Sequence, residues 1–253
     1  MSAPITFGVQ SEELETYCWL DAKYIMCFGS NPMQTRIPDA HFLNEARENG
    51  AKLLVFDPCF TATAAKADEW YSIKPSSDAA VALGFAKVIL DEKLYDADFI
   101  RKFTDMPILI RSDNQKKLLA ADVEGLEVPA DMPEYRQAFV AYSKGKPVTV
   151  NPEKFDLPMD TQLEGEVTIR LKDGKSVKCR PVFDLLSEMA SQWTPEAVEA
   201  ETDMPASEIP RIAREIATIK PVHIMYGASN YQWYHGDLKG RALSLLVALT
   251  GNI

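Results

Sequence analysis

Asn31, Asp57 and Asp78 are the residues of this chain whose types and spacing most suggest ligand chemistry, and each stands just after a short apolar run. Gly29-Ser30-Asn31-Pro32 follows Tyr24–Phe28, Asp57-Pro58 follows Lys52–Phe56, and Pro75-Ser76-Ser77-Asp78 follows Trp70–Ile73. A strand-to-helix turn of small residues bares backbone N–H groups, and such a turn binds phosphate. A carboxylate at the end of the next strand can accept both hydroxyls of a ribose. Asp78, at a helix start, can accept donors from a purine edge. The pattern points to a nucleotide at the carboxyl ends of a parallel sheet. The same residues also suit structural roles. There is no GxGxxG, Gly29–Asn31 reads equally as a plain turn, and Asp57 as a helix cap. Ser77 or Asp78 also reads as an N-cap.

These residues need elements to position them. Tyr24–Phe28 and Lys52–Phe56 have the length and composition of strands. Between them the pattern predicts a helix from Pro38-Asp39 to Asn49-Gly50, with Ala40, Leu43 and Ala46 on one face. Trp70–Ile73 reads as a third strand, Ala79–Leu90 as an amphipathic helix packed on a sheet, and Asp96–Phe103 as a short helix. From Ile110 to Pro181 charges and prolines are frequent, which predicts an insertion without its own core. Within it Pro133–Ser143 reads as a helix. Lys172-Asp173-Gly174-Lys175 reads as the turn of a hairpin between Glu166–Leu171 and Ser176–Arg180. Val182–Ser191 is amphipathic, Thr194-Pro195 opens a helix, and Pro205–Thr218 is a further helix. Pro221–Tyr226 reads as a strand that ends at a second small polar loop, Gly227-Ala228-Ser229-Asn230, before a helix over Leu238–Leu249. Met1–Thr16 reads as an aperiodic lead-in, with Ser2-Ala3-Pro4 a poor opening for helix or strand.

The expected fold is therefore α/β: a Rossmann-like, doubly wound, mostly parallel sheet with a mixed insertion containing a β-hairpin. The expected parts are a first nucleotide-binding part over residues 1–110, the insertion over 111–181, and a second α/β part over 182–253 that completes the same sheet region.

Composition sets outer bounds. The chain has 253 residues, 46% hydrophobic and 25% charged, which fits a folded globular protein. A formal net charge of −10 argues against nucleic acid and anionic membrane surfaces as main partners. No apolar run reaches the ~18 residues of a membrane span, and Met1 opens no signal-peptide pattern. Cys18, Cys27, Cys59 and Cys179 form no CxxC pair; Cys27 and Cys59 read as buried thiols in or after strands. His41, His223 and His235 are too scattered to suggest zinc.

Four stretches carry a resemblance. FDPCFTATAAKAD resembles an Asp-Pro-x-x-Thr-x-Thr-Ala run, and WYSIKPSSDAAVALGFAKVIL a Pro-Gly-Thr/Ser-Asp helix opening, of dimethyl sulfoxide reductase family molybdenum enzymes. GSNPMQTRIPDAHF and YGASNYQWYHGDLKGRALSLLVALTGNI resemble its type II branch, which holds nitrate reductases, nitrite oxidoreductases and the chlorate, perchlorate, selenate and ethylbenzene enzymes. The resemblance is tightest at Trp19–Arg111 and Thr194–Ile253 and loose between them. It departs at Ser76, where glycine is usual, and at Cys59, where arginine is frequent.

The resemblance implies a molybdenum cofactor, bis(molybdopterin guanine dinucleotide), that carries the redox chemistry while the protein positions it. Gly29, Ser30 and Asn31 would contact a guanosine diphosphate arm, Asp57 the ribose hydroxyls, and Asp78 guanine N1 and N2. Pro58, Thr61, Pro75 and Ser77 fall in the same motifs and belong to the expected cofactor-binding set. Gly227, Ala228 and Asn230 would approach the pterin or its phosphates, with His235 and Arg241 nearby; His235 reads equally as a surface or packing histidine. The resemblance also implies a central segment of a longer subunit. An amino-terminal iron–sulfur cluster motif and the molybdenum-ligating aspartate would precede Met1, and a domain gripping the second pterin would follow Ile253. No catalytic residue or metal ligand can be assigned within the chain. The implied reaction is oxygen-atom transfer between nitrite and nitrate. The implied partners are an iron–sulfur electron-transfer β subunit, a haem or membrane-anchor subunit, a small oxyanion substrate and no nucleic acid. The implied setting is a membrane-associated complex of a bacterium or archaeon. Two other classes stand beside this reading: a truncated, non-catalytic scaffold paralogue in a larger complex, and a nicotinamide-dependent dehydrogenase.

Overall fold

The computed structural model describes residues 2–8, 15–130, 137–152, 154–155, 157–227 and 232–252. In chain order its main elements begin with α1 (Ser2–Phe7), β1 (Tyr24–Phe28), α2 (Pro32–Thr35), α3 (Ala40–Glu48), β2 (Lys52–Phe56), β3 (Glu69–Tyr71) and α4 (Asp78–Asp91). Next come α5 (Ala97–Phe103), β4 (Leu109–Arg111), β5 (Phe139–Ser143), β6 (Lys146–Val150), β7 (Val167–Arg170), β8 (Ser176–Pro181) and α6 (Val182–Ala190). The chain returns through α7 (Pro195–Thr202), α8 (Glu208–Thr218), β9 (Val222–Tyr226) and α9 (Gly236–Thr250).

Two compact units result: Met1–Tyr95 with Ala190–Ile253, and Asp96–Met189. Residues 96–110 and 182–189 thus go with the second unit, because β4 pairs with β8 from Leu109↔Pro181 to Arg111↔Cys179.

The first unit is built on a parallel sheet of order β3-β2-β1-β9. β1 is central, and every one of its residues is buried, which is why its sequence is apolar without alternation. Ile25, Cys27, Leu53, Val55 and Met225 pack with Leu43 and Ala46 of α3. On the alternate positions Phe28 stacks on Phe56 at 4.3 Å, and Phe56 meets Phe85 of α4 edge-on at 6.1 Å. Helices therefore cover both faces, with α7, α8 and α9 packed on α4. Each fully buried phenylalanine or leucine here contributes roughly 1.5–3 kcal/mol. α1 corrects the reading of Ser2-Ala3-Pro4 as a poor helix opening. Pro4 lies in the first turn, where a backbone N–H has no intrahelical acceptor to lose.

A polar network closes the first unit between β1–β3 and α8. Lys52 Nζ lies 2.6 Å from Glu69 and 2.9 Å from Glu215, and Tyr24 donates its hydroxyl to Glu215 at 2.8 Å. Arg211 spans Glu69, Glu208 and Glu215, and the Tyr71 hydroxyl donates to Glu69 at 2.5 Å with Glu208 3.0 Å away. Burial pushes the Glu69 carboxyl up, but bonds from Lys52, Tyr71 and Arg211 outweigh it and hold the pKa at about 2.

The second unit pairs its strands antiparallel, as the sheet β4-β8-β7 and the hairpin β5-β6. The hairpin expected around Lys172–Lys175 is present, with Gly174 at φ +83°. Two expectations are corrected. The segment does have its own core, in which Leu109, Leu118, Val140, Ile169, Val177 and Cys179 pack together. A sheet needs apolar residues on one face only, so a polar composition still supports it. Pro133–Ser143 is not one helix. Residues 131–136 lie outside the described ones, and Phe139–Ser143 is strand β5. Lys144 at φ +51° and Gly145 at φ +75° make the tight two-residue turn that pairs β5 with β6.

Candidate nucleotide-binding site

Because β1, β2, β3 and β9 are parallel, their carboxyl ends share one edge. That edge collects Gly29–Asn31, Asp57–Thr61, Pro75–Asp78 and Gly227 from four separate segments.

The first loop is held by its own side chains. Gly29 turns at φ +51° and donates its N–H to Phe56 O at 3.1 Å. Asn31 does not continue the strand; it precedes Pro32 at the first position of α2, a short helix absent from the sequence reading. Asn31 Oδ1 accepts from the Thr63 hydroxyl at 2.7 Å, and its Nδ2 donates to Gln34 at 2.5 Å. Thr63 is fully buried and also accepts the Met33 N–H at 3.2 Å. It ties the loop after β1 to the loop after β2, a role that the sequence reading missed.

Asp57 is half-buried. Its Oδ1 accepts the Cys59 N–H at 2.8 Å, and its carbonyl accepts Trp70 Nε1–H at 2.9 Å. That turn brings Cys59 to the surface, which corrects the reading of it as a buried thiol; Cys27 is buried, and burial pushes its thiol up to about 12. Pro58 is exposed, and Thr61 caps the following turn through the Ala64 N–H at 3.2 Å. Phe60 is 64% exposed and lies edge-on to Trp70 at 5.0 Å.

The third loop carries the strongest charge signal. Pro75 is exposed, Ser76 takes φ +73°, and the buried Ser77 stands at the N-cap of α4 but donates its hydroxyl to Lys74 O at 2.7 Å. Asp78, the first helical residue, is only 5% exposed. Burial pushes its carboxyl up, its own backbone amide and Lys239 push it down, and the nearby Asp57 raises it again.

Gly227 donates its N–H to Phe28 O at 3.0 Å and lies against the first loop so closely that an added Cβ would stand 2.0 Å from Gly29 O. Ala228 and Asn230 lie outside the described residues. His235 is exposed, at φ +56°, immediately before α9, with its ring 4.0 Å from that of Tyr234. Arg241 is exposed on α9.

Lys239 of α9 was missed. It is 5% exposed, its Nζ has no hydrogen-bond partner, and it lies 5.5 Å from the Trp233 ring centroid. Burial lowers its pKa and the Asp78 charge opposes that. The signal was in the spacing: Lys239 shares a helical stripe with the buried Ala242, Leu243 and Leu246. An orphaned buried ammonium beside a buried carboxylate fits a site that receives a polar ligand.

The family profile for molybdopterin oxidoreductases matches residues 6–253. The chain belongs to that family. It is 41% identical over 269 residues to the perchlorate reductase α subunit of Dechloromonas aromatica, covering 98% of this chain and 29% of that one. It is 38% identical over 261 residues to the respiratory nitrate reductase α subunit of Haloferax mediterranei, covering 99% of this chain and 26% of that one. The type II resemblance is thereby borne out, and the chain spans under a third of these relatives' length. In fold it matches the acetylene hydratase of Pelobacter acetylenicus over 100% of this chain and 24% of that one, with TM-score 0.61 at 20% identity.

Proposed function

We propose that this chain is the cofactor-binding central part of a molybdenum oxidoreductase catalytic subunit that interconverts nitrite and nitrate, NO2⁻ + H2O ⇌ NO3⁻ + 2H⁺ + 2e⁻. The observation that carries the reading is the convergence of Asp57, the buried Asp78 and the Gly29–Asn31 and Gly227 loops at one sheet edge of a molybdopterin oxidoreductase. The cofactor is bis(molybdopterin guanine dinucleotide) molybdenum, which supplies the two-electron oxygen-atom transfer when bound. The chain's own residues bind and orient it. Gly29 and Ser30 offer backbone to the guanosine diphosphate arm, and Asn31, through Thr63 and Gln34, holds that loop rigid. Asp57 takes the ribose hydroxyls, Asp78 takes guanine N1–H and N2–H, and Pro58, Thr61, Pro75 and Ser77 shape the two turns around them. Gly227 and His235 would face the pterin and its phosphates, and Ala228 and Asn230 of the same sequence motif belong to that expected contact set. The sheet is the Rossmann-like, doubly wound kind, with helices on both faces and ligand at the carboxyl edge. Electrons pass through an iron–sulfur β subunit, with a haem or membrane-anchor subunit beyond it in a membrane-associated complex. The isolated segment is inactive.

Metal and nucleotide analysis of protein from its native source tests this. About one molybdenum and two releasable GMP per chain are expected from two dinucleotides on one metal. Absence of both would favour a non-catalytic scaffold.

A further inference from the structure

Asp78 and Lys239 are the only charged residues in the buried class among the described residues, and they stand on two helices packed against each other, α4 and α9. They lie within electrostatic range of one another, yet Lys239 Nζ has no hydrogen-bond partner. Two opposite buried charges that feel each other without pairing leave a desolvation cost unrelieved. A ligand relieves both only if it offers N–H donors to the carboxylate and an acceptor to the ammonium.

We propose that Lys239 donates to O6 of a guanine base whose N1–H and N2–H are accepted by Asp78, so that the pair selects guanine over adenine. The inference rests on the nucleotide reading of this edge. Guanine carries the O6 acceptor directly beside its N1–H donor. Adenine reverses both positions: its N6 amino group would face the Lys239 ammonium and its unprotonated N1 the Asp78 carboxylate. A phosphate would satisfy Lys239 but leave Asp78 facing a second anion. Trp233, 5.5 Å from the Lys239 ammonium, keeps that charge at the site by cation–π attraction.

Calorimetric titration of the cofactor-free full chain with GDP, ADP, guanosine and 6-thio-GDP tests the assignment. The sulfur analogue keeps N1–H and N2–H but replaces O6 with a poor acceptor. Wild type is expected to bind GDP at least tenfold more tightly than ADP and several-fold more tightly than 6-thio-GDP. Lys239→Met is expected to weaken GDP and guanosine about tenfold and leave ADP unchanged, while Lys239→Arg keeps much of the preference for guanine. The same loss for GDP and ADP, with guanosine unaffected, would make Lys239 a phosphate contact and overturn the proposal. Equal binding of GDP and 6-thio-GDP by wild type would overturn it without any variant. Wild type that binds GDP while Lys239→Met binds it equally well sinks the Lys239 assignment alone. Wild type that binds no nucleotide sinks the cofactor reading and this inference with it.

Discussion

Ser76 holds a left-handed backbone at φ +73° with a side chain that gains nothing from it. A non-glycine residue there carries strain of roughly 1–2 kcal/mol, partly offset because glycine would be freer in the unfolded chain. Ser76→Gly should therefore raise stability by about 0.5–1 kcal/mol, read as an upward shift of the thermal midpoint. The odd position was legible, since serine stands where the related motif has glycine, and the backbone supplies the physical reason. Lys239 was not legible as a site residue. Its type is that of a solvated charge, and only the helical register, which puts it in line with Ala242 and Leu246, shows it buried. Asn31 was legible as a loop residue but not as a brace, because Thr63 and Gln34 meet it through tertiary contact and a short helix.

At the scale of elements, α4 is the beam on which the ligand edge rests: Asp78 opens it, and α7, α8 and α9 pack on it. Gly84 allows the approach of α7. A Cβ there would lie 2.5 Å from Val198 Cγ2, far inside contact distance. Gly84→Ala gains about 1 kcal/mol of helix propensity and loses more to overpacking, so a net destabilisation of about 1–3 kcal/mol is expected by denaturant unfolding. The strands of the parallel sheet were legible as short unbroken apolar runs ended by turn residues, and its helices from their start and stop residues and apolar content. β5 was not, since its only turn signal is Lys144-Gly145, and a positive φ at lysine leaves no mark in sequence.

For the whole molecule, the Lys52–Glu69–Arg211–Glu215 network links pH to stability. Glu69 falls from its ordinary 4.5 to about 2 in the folded state. Its contribution is complete above pH 4.5 and is lost as pH falls toward 2. Glu69→Gln should lower stability at neutral pH and flatten the acid limb between those values, measured as unfolding free energy against pH. A limb as steep as wild type would show that other carboxylates carry it.

The sheet order has a consequence in time. β9 pairs along the whole of β1, although most of the chain, from Gly29 to Pro221, separates them. During synthesis β1 to β3 emerge well before β9, and one side of β1 stays an open template until β9 leaves the ribosome. An unpaired apolar edge of that kind invites association between nascent chains. The sheet is thus most exposed while it is being made, and slow elongation between β3 and β9 should lower the soluble yield.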